Sequence, residues 1–548
     1  KAYVIGYMPV TLAGMFLLFK RKWLWGAVLF LLGVAFSLYN GHIQITYYLV
    51  LLCLFIYLGY AIKMFKEKAY GEWMKTSLIM AACVILAVLP NAKHMYSNWD
   101  LGQHSIRGAS ELTPKADETG KVEKASTGLD KDYAFQWSYG WKELLTVMVP
   151  DVYGGGSGGT LDSSSELYKE LKKNGAQVGK EVQTYTYWGD KPFTSGPVYF
   201  GALVCFLFVL GMFVIRNQMK WWLLGGSVFL TFLALGRNFD AFNDIMFHYL
   251  PLYNKFRTVE MALVIPGLVF PLVGIWGLRE ILTEKVEEAR LKKSFLWSLG
   301  ITGGICLILW LMPSLLLNFH SLYDAQFQNQ VPEWYYTALL MDRASLASAD
   351  ALRSLIFILL GAGLLVWFWK SKNKTRTSMF VSAGMAVLIL VDLWSVDRRY
   401  LNDSNYVKET AQETYKESVA DKEIFKDMIQ EDYYEVKLIN GEEYGLIIKF
   451  QGKYNAFSVK FGEVKAVRMI DEGIVQTDIY SENEVQKYKK EKFKNMIYEV
   501  VGGQFKDEIK SIADGYLDVM DVKHYVIVTM NYNIDIISEG EPEIEIKS

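Results

Sequence analysis

The fold class this sequence predicts is an all-α polytopic membrane bundle of about ten transmembrane helices, with a long extracytoplasmic loop and a small C-terminal α+β domain. Three observations predict it. Ten apolar stretches follow one another before Asp397. Basic residues gather in alternate connections between those stretches. The composition then changes sharply: from Asp421 onward there are 17 basic and 26 acidic residues, against 40 and 33 before it, and all 16 tryptophans precede that point. Such a shift marks a domain boundary.

The apolar stretches are Tyr3–Phe19, Trp23–Tyr39, Ile45–Ile62, Thr76–Pro90, Val198–Ile215, Trp221–Leu235, Met261–Leu278, Phe295–Leu317, Ala351–Trp369 and Met379–Val396. At about 1.5 Å rise per residue, most can cross a hydrocarbon core of about 30 Å. The basic clusters are Lys20–Lys22, Lys63–Lys75, Arg216 with Lys220, Arg279–Lys293 and Lys370–Arg376. The positive-inside rule assigns these five connections to the cytoplasm. The segments Asn40–Thr46, Asn91–Pro197, Gly236–Glu260, Asn318–Asp350 and everything after Asp397 then lie outside, as do both ends of the chain. The chain opens at Lys1 directly into an apolar span, without an initiator Met or a signal peptide, which predicts a missing N-terminal portion. The expected organisation is four spans over 1–90, the loop over 91–197, six spans over 198–400, a linker over 401–428 and an acidic domain over 429–548.

Cys53, Cys83, Cys205 and Cys306 each sit inside an apolar stretch with no metal-binding spacing, so they read as packing residues. A transporter spreads polar residues through its spans near the midplane. Here the spans hold few charges, and polar and aromatic residues crowd the outer segments. Binding or chemistry at the outer membrane face is the expectation.

The 91–197 loop is too long for a connector. Thr113–Thr127 is polar and expected to be mobile, and Trp141–Val149 reads as an amphipathic helix lying on the membrane. The run Gly154–Gly159 lacks the GxxxxGK[ST] pattern of a phosphate loop and reads as a flexible hinge. Tyr187-Trp188-Gly-Asp190 closes the loop. In the short outer turn, His42 and Gln44 should face a protein cavity, for structural hydrogen bonding or for ligand contact. Lys255, Arg257 and Glu260 stand at the outer mouth of the seventh span, where topology has no use for basic residues. They suit a lipid phosphate or pyrophosphate, or else a Glu260–Arg257 pair with snorkelling.

Several motifs resemble the YfhO family of bacterial multi-pass membrane proteins. They are Lys1-Ala-Tyr with Tyr7-Met-Pro9, Asn40-Gly-His42-Ile-Gln44-Ile-Thr-Tyr-Tyr48, Arg107-Gly-Ala-Ser-Glu111-Leu, Tyr187–Pro197, Pro251-Leu-Tyr-Asn-Lys-Phe-Arg257 and Asp397-Arg-Arg-Tyr400. The likeness covers about residues 1–427. It implies a GT-C-like fold in the bacterial cytoplasmic (inner) membrane. It implies glycosyl transfer from a polyprenyl-phosphate sugar to a cell-envelope glycan or polymer acceptor at the outer face. Membrane lipids, that donor and that acceptor are the expected partners, with no nucleic acid. The acidic residue typical of such enzymes falls in a first outer loop upstream of Lys1. Within this chain, Arg107, Lys255 and Arg257 are the candidates for the phosphate, with His42, Gln44 and Trp188 as further substrate contacts. Asp130, Asp190 and Glu260 are the candidates for acid/base work or for holding a divalent metal ion. A non-enzymatic envelope assembly factor or a lipid-carrier transporter is the alternative.

In the tail, Tyr433–Ile439, Asn440-Gly441 and Tyr444–Phe450 read as a hairpin with a two-residue turn. Ala456–Met469 continues the strand pattern, Glu482–Ala513 reads as helical, and His524–Ile537 returns to strand.

The charge pattern makes a direct prediction. A cysteine introduced at Glu287 should be labelled by a membrane-impermeant thiol reagent only from the cytoplasmic side. Labelling of that position from outside would reverse the topology.

Overall fold

In the computed structural model, the described residues are 1–105, 107–108, 128–328 and 330–406, and in the remainder chiefly 414–417, 435–440, 445–471, 497–501, 522–528 and 532–547. The chain forms two compact units, 1–401 and 402–548.

The first unit is helical. Its helices are α1 Ala2–Phe19, α2 Trp23–Tyr39, α3 Ile43–Lys66, α4 Tyr70–Gln103, α5 Lys131–Ala134, α6 Glu166–Lys173, α7 Ala202–Val214, α8 Met219–Ala234, α9 Asp240–Tyr249, α10 Val264–Leu282, α11 Glu288–Leu311, α12 Ala325–Gln328, α13 Glu333–Lys370 and α14 Lys374–Tyr400. Every expected apolar stretch contains a helix, but the count of ten spans is not reproduced. Among the described residues seven helices are long and apolar enough to cross a membrane, or eight if α8 and α9 make one broken span. Those two are bent by 116° at Gly236. The shortfall lies in α2 and α7, which have only 17 and 13 residues.

The shortness of α7 has a physical cause. Nearly all its residues are buried, so it is a core helix surrounded by protein rather than lipid. Its N-terminus is not free to extend, because Asp392 of α14 caps it, accepting the Ala202 N–H at 2.9 Å. The Tyr199 hydroxyl and Arg353 of α13 hold the same carboxylate, at 2.6 and 2.8 Å. α7 lies against α10 closely enough that a Cβ added to Gly277 would come 2.4 Å from the Gly211 Cα. Small residues serve this purpose in membranes, where helices associate through packing.

The basic connections meet at one end of the bundle. Arg21 pairs with Glu72 at 2.7 Å, joining the α1–α2 connection to the start of α4. Arg290 donates to the Phe213 carbonyl at 2.7 Å, and Trp369 donates to Glu288 at 3.2 Å, joining the other three.

At the opposite end, α13 has 38 residues and runs well beyond its expected apolar start at Ala351. Arg343, Ala347, Asp350 and Ser354 follow one another at i, i+4, i+7 and i+11, and all are buried. They collect the long loop. Asp342 accepts the Glu166 and Leu167 N–H groups at 2.7 and 2.8 Å, capping α6. Asp350 accepts the Asp151 N–H at 2.9 Å, and Ser354 donates to the Met148 carbonyl at 2.8 Å. Arg399 of α14 bridges Asp350 and Asp151 at 2.6 and 2.7 Å, and the Tyr400 hydroxyl donates to Asp151 at 2.9 Å. Burial, then the neighbouring Asp350, raises the Asp151 carboxyl above the usual range against the pull of Arg399.

The loop is therefore folded rather than draped. Residues 143–147 form a 3-10 turn with Glu143 buried, not an amphipathic helix on the membrane. The Gly154–Gly159 run is no free hinge. Gly154 and Gly155 adopt φ of +81° and +75°. Ser157 exchanges hydrogen bonds with Thr194 at 2.9 and 2.8 Å, and Gly159–Leu161 (β1) pairs with Val182–Thr184 (β2). A Cβ on Gly154 would sit 1.9 Å from the Thr186 carbonyl oxygen, so the close approach demands glycine. Thr113–Thr127 lies outside the described residues.

The second unit contains two antiparallel sheets. One has the order β3 (Thr414–Glu417), β8 (Ile497–Val501), β9 (Val522–Val528), β10 (Tyr532–Glu539), β7 (Glu463–Asp471). The other has the order β11 (Glu543–Lys547), β6 (Ala456–Phe461), β5 (Leu446–Gln451), β4 (Glu435–Asn440). Their inner faces share one core, in which Ile448, Phe450 and Phe457 meet Tyr525, Ile527 and Ile534. The described residues of this unit are chiefly strand, packed as two sheets on one core, with helix at Phe505, Lys506, Glu508 and Ile509 inside the segment expected to be helical. Ile497–Val501, inside the expected helical segment, is a strand, and 482–496 lies outside the described residues. The expected 401–428 linker contains β3, which pairs with β8. The Asn-Gly turn is also displaced: Asn440 pairs with Leu446, leaving five residues between the strands. That register puts Leu446, Ile448 and Phe450 together on the buried face, and a one-residue slip would turn them outward.

Asp392→Ala removes the cap of α7 and leaves Arg353 without its carboxylate. Breaking a largely buried pair in this way costs about 3–5 kcal/mol. The variant should show a clearly lowered thermal midpoint in detergent, with Asp392→Asn less affected. A parent-like midpoint for the alanine variant would remove the capping argument.

Candidate functional site

The site begins with a buried lysine. Lys191 lies just past the Trp188-Gly-Asp190 turn and is 1% exposed. Its ammonium lies 3.2 Å from Glu143 and 3.1 Å from Glu260. It also stands over the Tyr139 ring at 4.5 Å. Glu143 is further held by the Tyr187 hydroxyl at 3.0 Å and by the Gly140 N–H at 3.1 Å. Glu260 Oε2 meets Lys191 as an ion pair without an aligned hydrogen bond. Burial pushes the Glu143 carboxyl above its ordinary range despite Lys191. Burial works against the Lys191 charge, but Tyr139, Glu143 and Glu260 around it carry its ammonium higher still. The charged state of Lys191 is the firm one, since two carboxylates share a single ammonium. This knot ties residues 139–143, 187–191 and 260 into one rigid block.

Beside the knot opens a cavity of about 490 Å³. It is lined by Lys142, Tyr153, Trp188 and Asp190, and by the 314–322 segment, which brings Leu315, Leu316, Leu317 and Leu322 together with Ser314, Asn318 and His320. Trp188 is stacked on Tyr153 with ring centroids 3.8 Å apart, and its buried Nε1 has no hydrogen-bond partner among the described residues. The Asp190 main-chain carbonyl accepts from Arg237, and its carboxylate takes no hydrogen bond or ion pair from any described residue. Lys142 donates to the Leu316 carbonyl at 2.9 Å. Leu315 and Leu322 are 66% and 72% exposed, so they form an apolar lip.

The sequence-derived candidates fall into two groups. Trp188 and Asp190 line the cavity, and Glu260 supports it through Lys191. The others meet around residues 251–258. Gln44 is buried and donates to the Arg257 carbonyl at 2.7 Å and to the Tyr48 hydroxyl at 3.0 Å. His42 is half-buried nearby in sequence, its Nδ1 without a hydrogen-bond partner among the described residues. Lys255 donates to the Arg107 carbonyl, and burial lowers its ammonium below the usual lysine range. The Arg257 guanidinium donates to the Tyr133 hydroxyl and lies 5.9 Å from the Trp137 ring. It pairs with that phenol rather than with Glu260. Asp130 is the N-cap of α5 and accepts the Tyr133 N–H at 2.9 Å.

The two groups are joined. Trp137 lies under Arg257, donates to the Phe193 carbonyl at 3.2 Å and accepts from the Glu260 N–H at 3.4 Å. Leu252 and Thr258 both adopt left-handed backbone, at φ of +66° and +58°. Such strain in branched residues persists only where the surroundings enforce it, often beside a functional site.

The sequence reading did not nominate Lys142, Glu143, Tyr153, Lys191 or His320. The signals available were a lone acid in the apolar run after Trp141 and a lysine set among aromatics after Trp188. Among the described residues no three His, Cys, Asp or Glu side chains converge to hold a metal ion. No family model, no curated protein and no solved structure matches this chain.

Lys191→Met would leave Glu143 buried and unpaired. The cost should be about 3–5 kcal/mol, the range for breaking a buried pair from one side. Protease protection of the 139–191 block should fall with it. Glu143→Gln together with Lys191→Met should recover part of the loss, because the more deeply buried carboxylate is then no longer orphaned and only Glu260 stays without its cation. A single variant as protected as the parent would contradict the knot.

Proposed function

We propose that this chain is a GT-C-like membrane protein that transfers a sugar from a polyprenyl-phosphate donor to a cell-envelope acceptor at the outer face. The cavity carries the proposal. Its lining mixes polar and charged side chains with four leucines, as an amphiphilic donor requires, and its volume of about 490 Å³ is that of an ordinary small-molecule site. In this reading the Asp190 carboxylate accepts hydrogen bonds from sugar hydroxyls, and Tyr153 offers its hydroxyl beside it. Lys142 faces the phosphate, and the leucine lip receives the first isoprenoid units. Arg107, Lys255 and Arg257 form a second cationic group for the lipid phosphate, joined to the cavity through Trp137. The full ten-span topology, with the cavity outside, belongs to the same reading. The charged pairs of α13 and α14 lie toward the loop end of those helices rather than at mid-span, which favours surface chemistry over transport through the bundle.

The test is binding of a panel of short-chain polyprenyl-phosphate hexoses to the chain in lipid vesicles. A hydrogen bond to a charged group contributes about 1.5–3 kcal/mol. Asp190→Asn should therefore weaken binding about tenfold or more with the fold intact. Lys142→Ala should weaken phosphate-bearing ligands selectively. If Arg257→Ala does so and Lys142→Ala does not, the phosphate subsite moves to the 251–258 segment. If the parent binds no member of the panel, the sugar-transfer reading fails.

A further inference from the structure

The cavity contains a histidine whose second ring nitrogen is tied to a buried carboxylate through a tyrosine. Asp324 is 2% exposed and is gripped by Arg343 through two hydrogen bonds of 2.7 and 2.9 Å. It also accepts the Ser321 N–H at 2.8 Å. Burial by itself would raise this carboxyl, but the bonds from Arg343 and Ser321 hold it below its ordinary value. An ionised carboxylate can only accept. The Tyr336 hydroxyl, 3.0 Å from Asp324 Oδ2, must therefore donate its proton there. That leaves a lone pair of the same hydroxyl for His320 Nδ1, at 2.8 Å, so Nδ1 carries the ring proton. In the neutral ring Nε2 is then the acceptor nitrogen, with no hydrogen-bond partner among the described residues, on a residue that lines the cavity. Arg343 donates to the Phe319 and Tyr185 carbonyls as well, at 2.9 and 2.8 Å, so the whole chain of bonds is anchored to the α13 post. The charged groups near His320 are Lys142 and Asp190, which line the same cavity, and the Asp324–Arg343 pair behind Tyr336.

We propose that His320 is the base of this cavity, positioned by Tyr336 and Asp324. Resting on the sugar-transfer reading, its Nε2 takes the proton of the acceptor hydroxyl as that oxygen bonds to the anomeric carbon. The bond from the anomeric carbon to the phosphate oxygen breaks, its electron pair stays on the lipid phosphate, and Lys142 offsets the charge gained there. Asp324 stabilises the imidazolium through Tyr336 without taking the proton. Asp190 keeps the sugar-binding role.

Site-resolved carbethoxylation of the intact chain in vesicles tests the base directly. His320 should react at Nε2. Tyr336→Phe, which leaves the Asp324–Arg343 pair in place, should slow that reaction, because Nδ1–H loses the acceptor that orients the ring and makes Nε2 the better nucleophile. His104 and His248 are exposed, and the groups at their Nδ1 atoms are those of Asp100 and Asp244, with no bond to Tyr336 or Asp324, so their rates should not change. A His320 rate indifferent to Tyr336→Phe overturns the relay. Protection of His320 by a short-chain polyprenyl-phosphate hexose supports the substrate assignment. A fast, Tyr336-dependent His320 that this lipid does not protect sinks the sugar reading and leaves the base in place. Where the parent transfers sugar, His320→Gln should lower turnover about a hundredfold or more while donor binding holds, the usual effect of losing a general base. Turnover equal to the parent's overturns the proposal while sugar transfer stands.

Discussion

Buried charges must be paired, and in this bundle the pairing runs along one helix. Arg343, Asp350 and Arg353 of α13 are each met by an opposite charge: Asp324 from the preceding loop, Arg399 from the end of α14 and Asp392 within α14. Removing any partner leaves a charge stranded in protein, a far larger cost than losing an exposed ion pair. Aspartates of α13 and α14 also accept main-chain N–H groups from segments distant in sequence. Asp342 caps α6, Asp350 receives Asp151, and Asp392 caps α7. The long loop is thus folded by α13 as much as by its own residues. Its short regular elements could not stand alone: α6 has eight residues, and β1 and β2 three each.

The cavity follows from that scaffold. Its polar lining is held from two sides, by the Lys191 knot behind Trp188 and Asp190, and by the Arg343 anchor behind His320. Groups fixed in this way need little rearrangement to meet a ligand, which is what a binding or reaction site requires. The strained turn at Leu252 and Thr258 is held by Gln44 from α3 and by the Ala134 carbonyl, which accepts the Thr258 N–H at 3.2 Å. That turn carries Lys255 and Arg257, so the cationic group is as firmly placed as the cavity.

Helix positions were readable in the apolar stretches because lipid and core both demand apolar surface over a helix's length. Span number was less readable, since the same composition serves a core helix such as α7. Helix ends were misplaced where polarity returned before the helix stopped. α13 begins at Glu333 rather than Ala351, and α4 ends at Gln103 rather than Pro90. In both, hydropathy ends while the backbone hydrogen bonding continues. The second unit shows a similar limit. The strand pattern of β5 to β7 was legible, but the Asn-Gly signal lost to the register that buries Leu446, Ile448 and Phe450. Within the site, Trp188 and Asp190 were legible because an aromatic and an acid stand at a loop's close. Lys142 and His320 were not, because 178 positions separate residues that share one cavity.

The sequence by itself determined that this is a membrane-associated helical chain with a separate acidic unit containing strands, because periodicity and charge bias are local properties. It also placed acids, cations and aromatics in the segments between the apolar stretches. Only the tertiary structure decided which of them are paired within the fold and which keep an unpaired charge at a cavity. Asp130 is a helix cap, Glu260 half of a buried ion pair, Arg257 a partner for Tyr133 and Trp137, while Asp190 keeps a carboxylate with no partner among the described residues. The physical reason is that a charged side chain's role depends on what neutralises it, and that partner comes from anywhere along the chain.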